Sequence, residues 1–302
     1  MTNIYRKVME EVKYCPICES NSFKTHIRSK DFSVSKENFT IVKCRSCNFQ
    51  FTNPRPSDEE LGRYYISDHY ISHNNTNNNL FEKTYQLVRR IAIKTKYNLI
   101  SEFFNSGRIL DIGCGTGDFL YKCKLKNWDT KGIEPSEIAR TQAIENYNLD
   151  VIESTDLGKL NGEFEIITMW HVLEHVTELN NTVSEMKKLL SKKGKAIIAV
   201  PNLESFDACY YKKYWAAYDL PIHLYHFSKT SITKLFEKHG LSLRKTKGMK
   251  FDSFYVSMLS EEHRTGNKNF LKSIIIGSIS NLLGIFTKRG FSSTIYVFEK
   301  KK

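Results

Sequence analysis

A strand that runs directly into a glycine-rich turn constrains the fold of this chain more than any other feature. Residues 108–110 begin a short buried strand, glycines follow at 113, 115 and 117, and 118–126 are typical of a helix. Glycine is needed where the backbone takes a positive φ or where a ligand approaches too closely for a Cβ. Such a turn also directs backbone N–H groups and the positive end of the helix at whatever lies above the strand. The segment therefore predicts an α/β fold with a ligand site at this turn.

An acidic residue after the next strand adds to this pattern. The strand 129–133 ends in Glu134, about 20 residues further on, where a carboxylate can accept both hydroxyls of a ribose. The strings DIGCGTGDFL and GIEPS together resemble the S-adenosylmethionine (SAM) site of class I methyltransferases. A dinucleotide site and a glycine turn without a ligand are the alternatives. The resemblance implies that SAM binds at Asp111, Gly113, Cys114, Gly115, Gly117 and Glu134.

Strand-like and helix-like segments alternate along the rest of the chain. The pattern predicts a helix from Ser136 to Tyr147, strands at 164–170 and 195–200, and a helix at 179–190. This alternation is typical of a doubly wound, Rossmann-like α/β sheet that binds ligands at the carboxyl ends of its strands. The resemblance implies a seven-stranded sheet whose last strand is antiparallel.

Four of the seven cysteines form two C-x-x-C pairs near the N-terminus. Two such turns complete the tetrahedral coordination of one metal ion, and strand-like segments lie between them. The pattern predicts a small zinc ribbon over residues 1–52, because disulfides are less suited to a reducing cytoplasm. Four thiolates leave no open position for catalysis, so the zinc is structural and contributes on the order of 10 kcal/mol to folding. The predicted ligands are Cys15, Cys18, Cys44 and Cys47.

The remaining chain divides into a linker and a main domain. Residues 53–105 are predicted to be a linker and a helical lid, since a proline-punctuated link and an asparagine-rich run precede a helical pattern. Residues 106–302 are predicted to form the SAM-binding domain, with a helical insertion at 256–290. The other three cysteines are interpreted as small apolar residues.

Two further strings follow predicted strands of the main domain. TMWHVLEHV ends the fourth strand, and PIHLYHFS follows later. Both resemble the branch that includes ubiquinone-biosynthesis methyltransferases and many polysaccharide-cluster enzymes. The resemblance implies that Trp170 and His171 lie beside the methyl donor. Asp156, or equally Thr155, is the candidate partner of the adenine amino group.

Histidines in these strings are the candidate general bases, because an imidazole has a suitable pKa range for accepting a hydroxyl proton. His223 is the first choice, followed by His171 and His175, and His226 is a further candidate. A structural histidine is the alternative for His175. A metal-binding pair is the alternative for His171 and His175, which share a face if the segment is helical.

The function predicted from these features is methyl transfer from SAM to a small or carbohydrate acceptor, most simply O-methylation of a sugar in surface-polysaccharide biosynthesis. The ribbon is similar to that of sugar C-methyltransferases, whose long C-terminal catalytic extension this chain lacks. An RNA methyltransferase is the first alternative, because a ribbon on a basic chain can contact phosphates. A non-enzymatic module that keeps SAM as a structural ligand is the second.

A formal charge of +12 favours anionic partners. The expected acceptor is a nucleotide-linked or lipid-linked sugar, and nucleic acid is disfavoured because the ribbon itself is not strongly basic. The N-terminal residues contain no apolar core of a signal peptide, so a cytoplasmic location is expected. The apolar segment 270–286 is interpreted as a packed helix, with peripheral contact at the inner membrane face as the alternative.

Overall fold

The computed structural model describes residues 9–65, 80–153 and 157–301, and the side chains of these residues except 80–85. Its N-terminal part is built from short antiparallel strands. They are β1 (Met9–Glu10), β2 (Phe23–Lys30), β3 (Asn38–Cys44), β4 (Gln50–Thr52) and β5 (Arg55–Pro56).

A seven-stranded mixed sheet forms the main body, in the order β12-β13-β10-β9-β6-β7-β8. Neighbours from β10 to β8 are parallel, and β13 is antiparallel to both β10 and β12. The seven-stranded Rossmann-like prediction is therefore confirmed. The remaining strands of the protein are β6 (Arg108–Ile112), β7 (Asp129–Ile133), β8 (Asp150–Ile152), β9 (Phe164–Trp170), β10 (Leu190–Pro201), β11 (Tyr225–His226), β12 (Leu241–Met249) and β13 (Ser293–Lys300).

Helices connect the parallel strands and cover both faces of the sheet. Capping residues mark their ends: Ser136 caps α4 through Ala139 N, and Ser228 and Ser231 form a reciprocal capping box at the start of α7. The helices are α1 (Asp58–Leu61), α2 (Leu80–Ser101), α3 (Asp118–Lys124), α4 (Glu137–Tyr147), α5 (Leu179–Leu189), α6 (Phe206–Tyr211), α7 (Lys229–Lys238), α8 (Asp252–Thr265) and α9 (Phe270–Phe286).

The burial pattern of the central strands is the one expected of a parallel sheet. In β9, Phe164, Ile166, Ile167 and Met169 are all buried, although neighbouring side chains point to opposite faces. Near-continuous apolar strands of this kind are typical of a sheet covered by helices on both faces. The carboxyl ends of β6, β7 and β9 therefore share one edge, where the candidate ligand-binding turns lie.

The N-terminal sheet is joined to the main body by a strand from far along the chain. β11 pairs antiparallel with β4, so the four-stranded sheet has the order β11-β4-β3-β2. Thr52 N also donates to Leu224 O at 2.9 Å. The predicted zinc ribbon is thus held against the segment that carries His223 and His226.

Helices α8 and α9 lie between β12 and β13, close to the insertion expected at 256–290. Within residues 9–65, 80–153 and 157–301, none of the helices combines the length and the apolar character needed to cross a bilayer.

Candidate active site

The turn between β6 and α3 has the geometry that its glycines predict. Gly113, Gly115 and Gly117 take φ values of +72°, +55° and +82°, which L side chains rarely adopt. A Cβ on Gly115 would meet open space, whereas one on Gly113 would lie 2.4 Å from Val172 Cγ2. The turn therefore leaves room for a ligand above Gly115, and it packs Gly113 tightly against the segment after β9.

Glu134 lies at the end of β7, next to this open space. Its Oε2 accepts from Gly115 N at 2.8 Å and its Oε1 accepts from Ser136 N at 2.9 Å. Two backbone donors hold the buried carboxylate at the mouth of the turn. A ribose with two hydroxyls fits an acceptor held in this way, so the residues present suit the adenosyl part of SAM.

Two other predicted SAM residues are buried beneath the turn. The Asp111 carboxylate accepts from Thr168 Oγ1 at 2.5 Å across β6 and β9, and burial raises the pKa of Asp111 to about 7. The Cys114 thiol is also partly buried, and burial raises its pKa. Asp156 and Thr155 lie outside the described residues.

Trp170 ends β9 and is covered by a lysine that the motifs do not indicate. Lys96 Nζ, from α2, lies 4.5 Å from the centroid of the Trp170 ring. Burial lowers the pKa of Lys96, although the charges of Asp111 and Asp252 oppose this effect. Trp170 Nε1 is buried without a hydrogen-bond partner in the described part of the chain. Its N–H is therefore available to donate a hydrogen bond to a group bound at this edge of the sheet.

His171 is held between two carboxylates. Its Nδ1 lies 3.3 Å from Glu174 Oε1 and its Nε2 lies 3.1 Å from Asp252 Oδ2. Both partners are acceptors, so the ring donates to both only when it is doubly protonated. Burial alone would lower the pKa of His171, but the hydrogen bonds to Asp252 and Glu174 outweigh it and raise this pKa to about 10. The residue also has a φ of +57°, which is uncommon outside glycine.

We expect the Asp252→Asn change to lower the pKa of His171, because the asparagine removes one of the two negative partners. In the wild-type protein the imidazolium signal should persist at pH 8, well above the ordinary value of 6.5. Since the pKa is raised on folding, this charge stabilises the fold fully below pH 6.5, and the contribution is lost as the pH rises through about 10. NMR titration of ring carbons measures this pKa, with His171→Asn to assign the signal; an identical titration in the Asp252 variant would contradict the ion-pair assignment.

His175 and His223 form a second group beside Glu174. Their ring centroids lie 4.5 Å apart, with the ring planes nearly perpendicular. His175 Nδ1 lies 3.1 Å from both Tyr65 Oη and Ile222 O, and His223 Nδ1 donates to Ala217 O at 2.9 Å. Burial lowers the pKa of His175 to about 4 and also lowers that of His223, so both rings are neutral at pH 7.

Glu174 gives this group an unusual feature. The side chain is fully buried, and its Oε2 has no hydrogen-bond partner in the described part of the chain. One potential metal-ligating atom from each of Glu174, His175 and His223 lies within 4.8 Å of the other two, which is close enough for a metal ion to bind between them. The same arrangement offers a substrate hydroxyl one acceptor and two imidazoles.

His226 lies further from this group. Its Nε2 is 3.2 Å from Thr52 Oγ1, which donates to His223 O at 2.8 Å. His226 is buried between β4 and β11, and its contacts tie the N-terminal sheet to the histidine segment.

The four N-terminal cysteines are brought together by the β2–β3 sheet. Cys15 Sγ lies 3.5 Å from Cys47 Sγ, and Cys18 Sγ lies 3.6 Å from Cys44 Sγ. All four sulfur atoms lie within 4.8 Å of one another, and the thiols are free. A tetrahedral zinc with Zn–S bonds of about 2.3 Å would separate its sulfurs by about 3.8 Å, so the cluster is compatible with a zinc ribbon.

Asp252, Lys96 and the Ala217 carbonyl were not found from the sequence. Asp252 and Lys96 come from helices outside the motifs, and Ala217 lies just before the PIHLYHFS string. No local pattern marks any of the three. Tyr65 lies within the predicted linker at 53–105, and its contact with His175 joins that segment to the site.

A family profile described as a methyltransferase domain matches residues 83–246, which is more than half of the chain. This match covers the glycine turn, Glu134, the segment after β9 and the histidine segment. The chain belongs to this methyltransferase family, and it is a SAM-dependent methyltransferase.

Two similar proteins are both named ubiquinone biosynthesis O-methyltransferase. The one from Pelagibacter ubique (strain HTCC1062) is 28% identical over 177 residues, which cover 52% of this chain and 74% of that protein. The one from Erwinia tasmaniensis is 26% identical over 106 residues, which cover 32% of this chain and 44% of that protein. The chain thus spans less than half of the second relative.

Solved structures show the same fold. Magnesium protoporphyrin IX methyltransferase from Synechocystis PCC 6803, with bound SAH, superimposes with a TM-score of 0.53 at 14% identity. The match covers 81% of this chain and 100% of that chain.

Proposed function

We propose that the protein methylates a hydroxyl oxygen of a small acceptor at the edge where β6, β7 and β9 end. The observation that carries this proposal is the pair of neutral imidazoles beside Glu174. Glu174 and His175 follow Val172, which packs against Gly113 of the glycine turn. The names of the two O-methyltransferase relatives support an oxygen acceptor. When bound, SAM supplies a methyl group on a sulfonium, which is already activated for in-line displacement.

His223 is the proposed general base. Its Nδ1–H donates to Ala217 O, which leaves the lone pair of Nε2 free to accept a proton. As the new O–CH3 bond forms and the S–CH3 bond breaks, the acceptor hydroxyl loses its proton to this nitrogen. His171 is proposed to position the segment after β9 as a cation, because its two carboxylate partners keep it protonated.

The Glu134 carboxylate is proposed to bind the ribose. The rest of the adenosyl group is proposed to occupy the open space above Gly115. The cysteine cluster is proposed to hold a structural zinc that keeps β4 paired with β11. Lys96 of α2 lies over Trp170 and Tyr65 contacts His175 at this edge. These contacts are proposed to help exclude water and align the reacting atoms, which are the main demands of this displacement.

A sugar hydroxyl in a surface-polysaccharide pathway remains our predicted acceptor, and it rests on the resemblance of the two motif strings. The names of the two relatives point instead to an acceptor in ubiquinone biosynthesis. RNA methylation remains a further alternative. Family membership favours turnover over a non-enzymatic SAM-binding module.

We expect His223→Ala to lower kcat by about 100-fold to 10,000-fold, which is the usual contribution of a general base. The SAM dissociation constant should change little, because His223 lies on the segment before β11 and not on the glycine turn. Single-turnover kinetics with methyl-labelled SAM, together with calorimetry of SAM binding, separate the two effects.

His26→Ala is the matched control, since His26 is an exposed histidine of β2. A His223 variant with wild-type kcat would overturn the base assignment. Metal analysis of both proteins distinguishes the alternative in which Glu174, His175 and His223 bind a metal ion, because only the His223 variant would then lose an equivalent of metal.

A further inference from the structure

The helix α9 exposes most of its large apolar residues to solvent and buries several of its small ones. Its outward face carries large apolar side chains, with Leu271 and Phe286 exposed to 72% and 76%. A surface helix of a globular protein usually turns such side chains toward the core. The exposed apolar residues of α9 are Phe270, Leu271, Ile274, Ile275, Ile279, Leu282, Ile285 and Phe286.

The inward face of α9 is made mostly of small residues, and Ile276 is also buried there. Ser273, Gly277 and Ser280 are buried, and a Cβ on Gly277 would lie 2.7 Å from Phe254 Cδ1 of α8. Ser280 Oγ donates to the buried Asp207 at 2.6 Å. Small residues and buried polar contacts of this kind let α9 pack closely on α6 and α8, so the outward position of its apolar residues is set by specific contacts.

The cations after α9 match an anionic surface. Residues 270–286 contain one charged residue, Lys272, and no acidic residue. Lys272 and the preceding Lys268 pair with Glu261 and Glu262 of α8. Lys288 and Arg289 follow the helix in exposed positions and make no ion pair within the described residues. Cations beside an exposed apolar helix face are typical of helices that lie in the interface of an anionic bilayer.

We propose that the outward face of α9 docks this protein onto the surface of a membrane containing anionic lipids. The helix lies in the plane of the interface, with its aliphatic residues among the acyl chains and its flanking cations at the headgroups. A second copy of the chain fits this face less well, because α9 carries no acidic residue to pair with Lys288 and Arg289 of the other copy. The nearby carboxylates, Glu261 and Glu262 of α8, already pair with Lys272 and Lys268.

The docking face is connected to the candidate active site. Asn281 Nδ2 of α9 donates to Lys250 O at 2.8 Å, and Asp252 begins α8 two residues later and contacts His171. The docked helix therefore contacts the segment that supplies the carboxylate partner of His171. Access to an acceptor with a lipid tail follows if the proposed function is correct; the docking itself does not depend on it.

Vesicle flotation tests the proposal with the full chain. The wild-type protein should bind vesicles of phosphatidylcholine with phosphatidylglycerol at least about tenfold better than vesicles of phosphatidylcholine alone, and high salt should weaken the binding. Leu271→Gln with Leu282→Gln should lower binding at least about tenfold, and so should Lys288→Glu with Arg289→Glu. Circular dichroism checks that each variant is folded.

The matched control is Leu125→Gln with Ile138→Gln, since these two apolar residues are exposed on other parts of the main domain. The control should bind as the wild type does. A wild-type protein that stays in solution with anionic vesicles would overturn the proposal. Sedimentation as a dimer that the Leu271 and Leu282 changes dissociate would overturn it in favour of self-association. Binding lost equally in the control would also overturn it.

Discussion

Glu134→Ala is expected to weaken SAM binding by at least about 100-fold. The carboxylate is the acceptor for two ribose hydroxyls in the proposed complex, and each hydrogen bond to a charged group contributes about 1.5 kcal/mol or more. The change also removes the acceptor for Gly115 N and Ser136 N, which loosens the turn itself. Isothermal titration calorimetry of SAM against the purified protein measures the effect.

Glu137→Ala is the matched control for this experiment. Glu137 lies three residues further on, at the exposed start of α4, and its loss should leave SAM affinity unchanged. Glu134→Gln, which keeps one acceptor oxygen, should fall between the two. Unchanged affinity in the folded Glu134→Ala protein would contradict the placement of the ribose. Glu134 is a better target than Gly113, because a side chain at Gly113 collides with Val172 and disturbs the fold.

Removal of zinc is expected to abolish methyl transfer while changing SAM affinity less than about threefold. A structural zinc contributes on the order of 10 kcal/mol to folding of a site like this, so chelation or Cys44→Ser should unfold the N-terminal sheet. That sheet includes β11, and Thr52 binds the carbonyl of His223. The acceptor side of the site therefore loses its support, whereas the glycine turn belongs to the β6–α3 connection.

Proton NMR shows whether the N-terminal strands have unfolded, and metal analysis shows whether zinc is lost. Activity and SAM binding are measured in parallel on the same samples. Cys209→Ser is the control, because Cys209 is an exposed thiol of α6 outside the cluster. A metal-free protein with a native N-terminal sheet would refute the structural role of zinc. Full activity after the sheet has unfolded would refute its support of the acceptor site.

Much of the fold was predictable because its signals are local. The strand at 164–170 is observed with the same bounds as β9, since a mostly apolar run of strand length follows Asn161 and Gly162. Ser228 caps α7 because its hydroxyl accepts from Ser231 N, only three residues further on. The glycine turn and the position of Glu134 beside it follow from backbone conformation and strand order, so their proximity could be predicted from the sequence.

The acceptor side could not be derived in this way, because distant contacts decide it. Sequence spacing does not distinguish His171 from His175 as a candidate base. The contact with Asp252 from α8 keeps His171 protonated, whereas burial beside His223 keeps His175 neutral. The segment between them forms turns and not a helix. The pairing of β4 with β11 joins residues about 170 positions apart, and no local pattern indicates it.

Methyl-labelled SAM, incubated with the purified protein and a fractionated extract of the source cells, tests the central claim most directly. The account predicts that label enters a small-molecule or lipid-linked fraction as a methyl ether, with one SAH released per methyl group, and that Glu134→Ala abolishes this transfer. Label in RNA, or tight SAM binding with no transfer to any fraction, would contradict it.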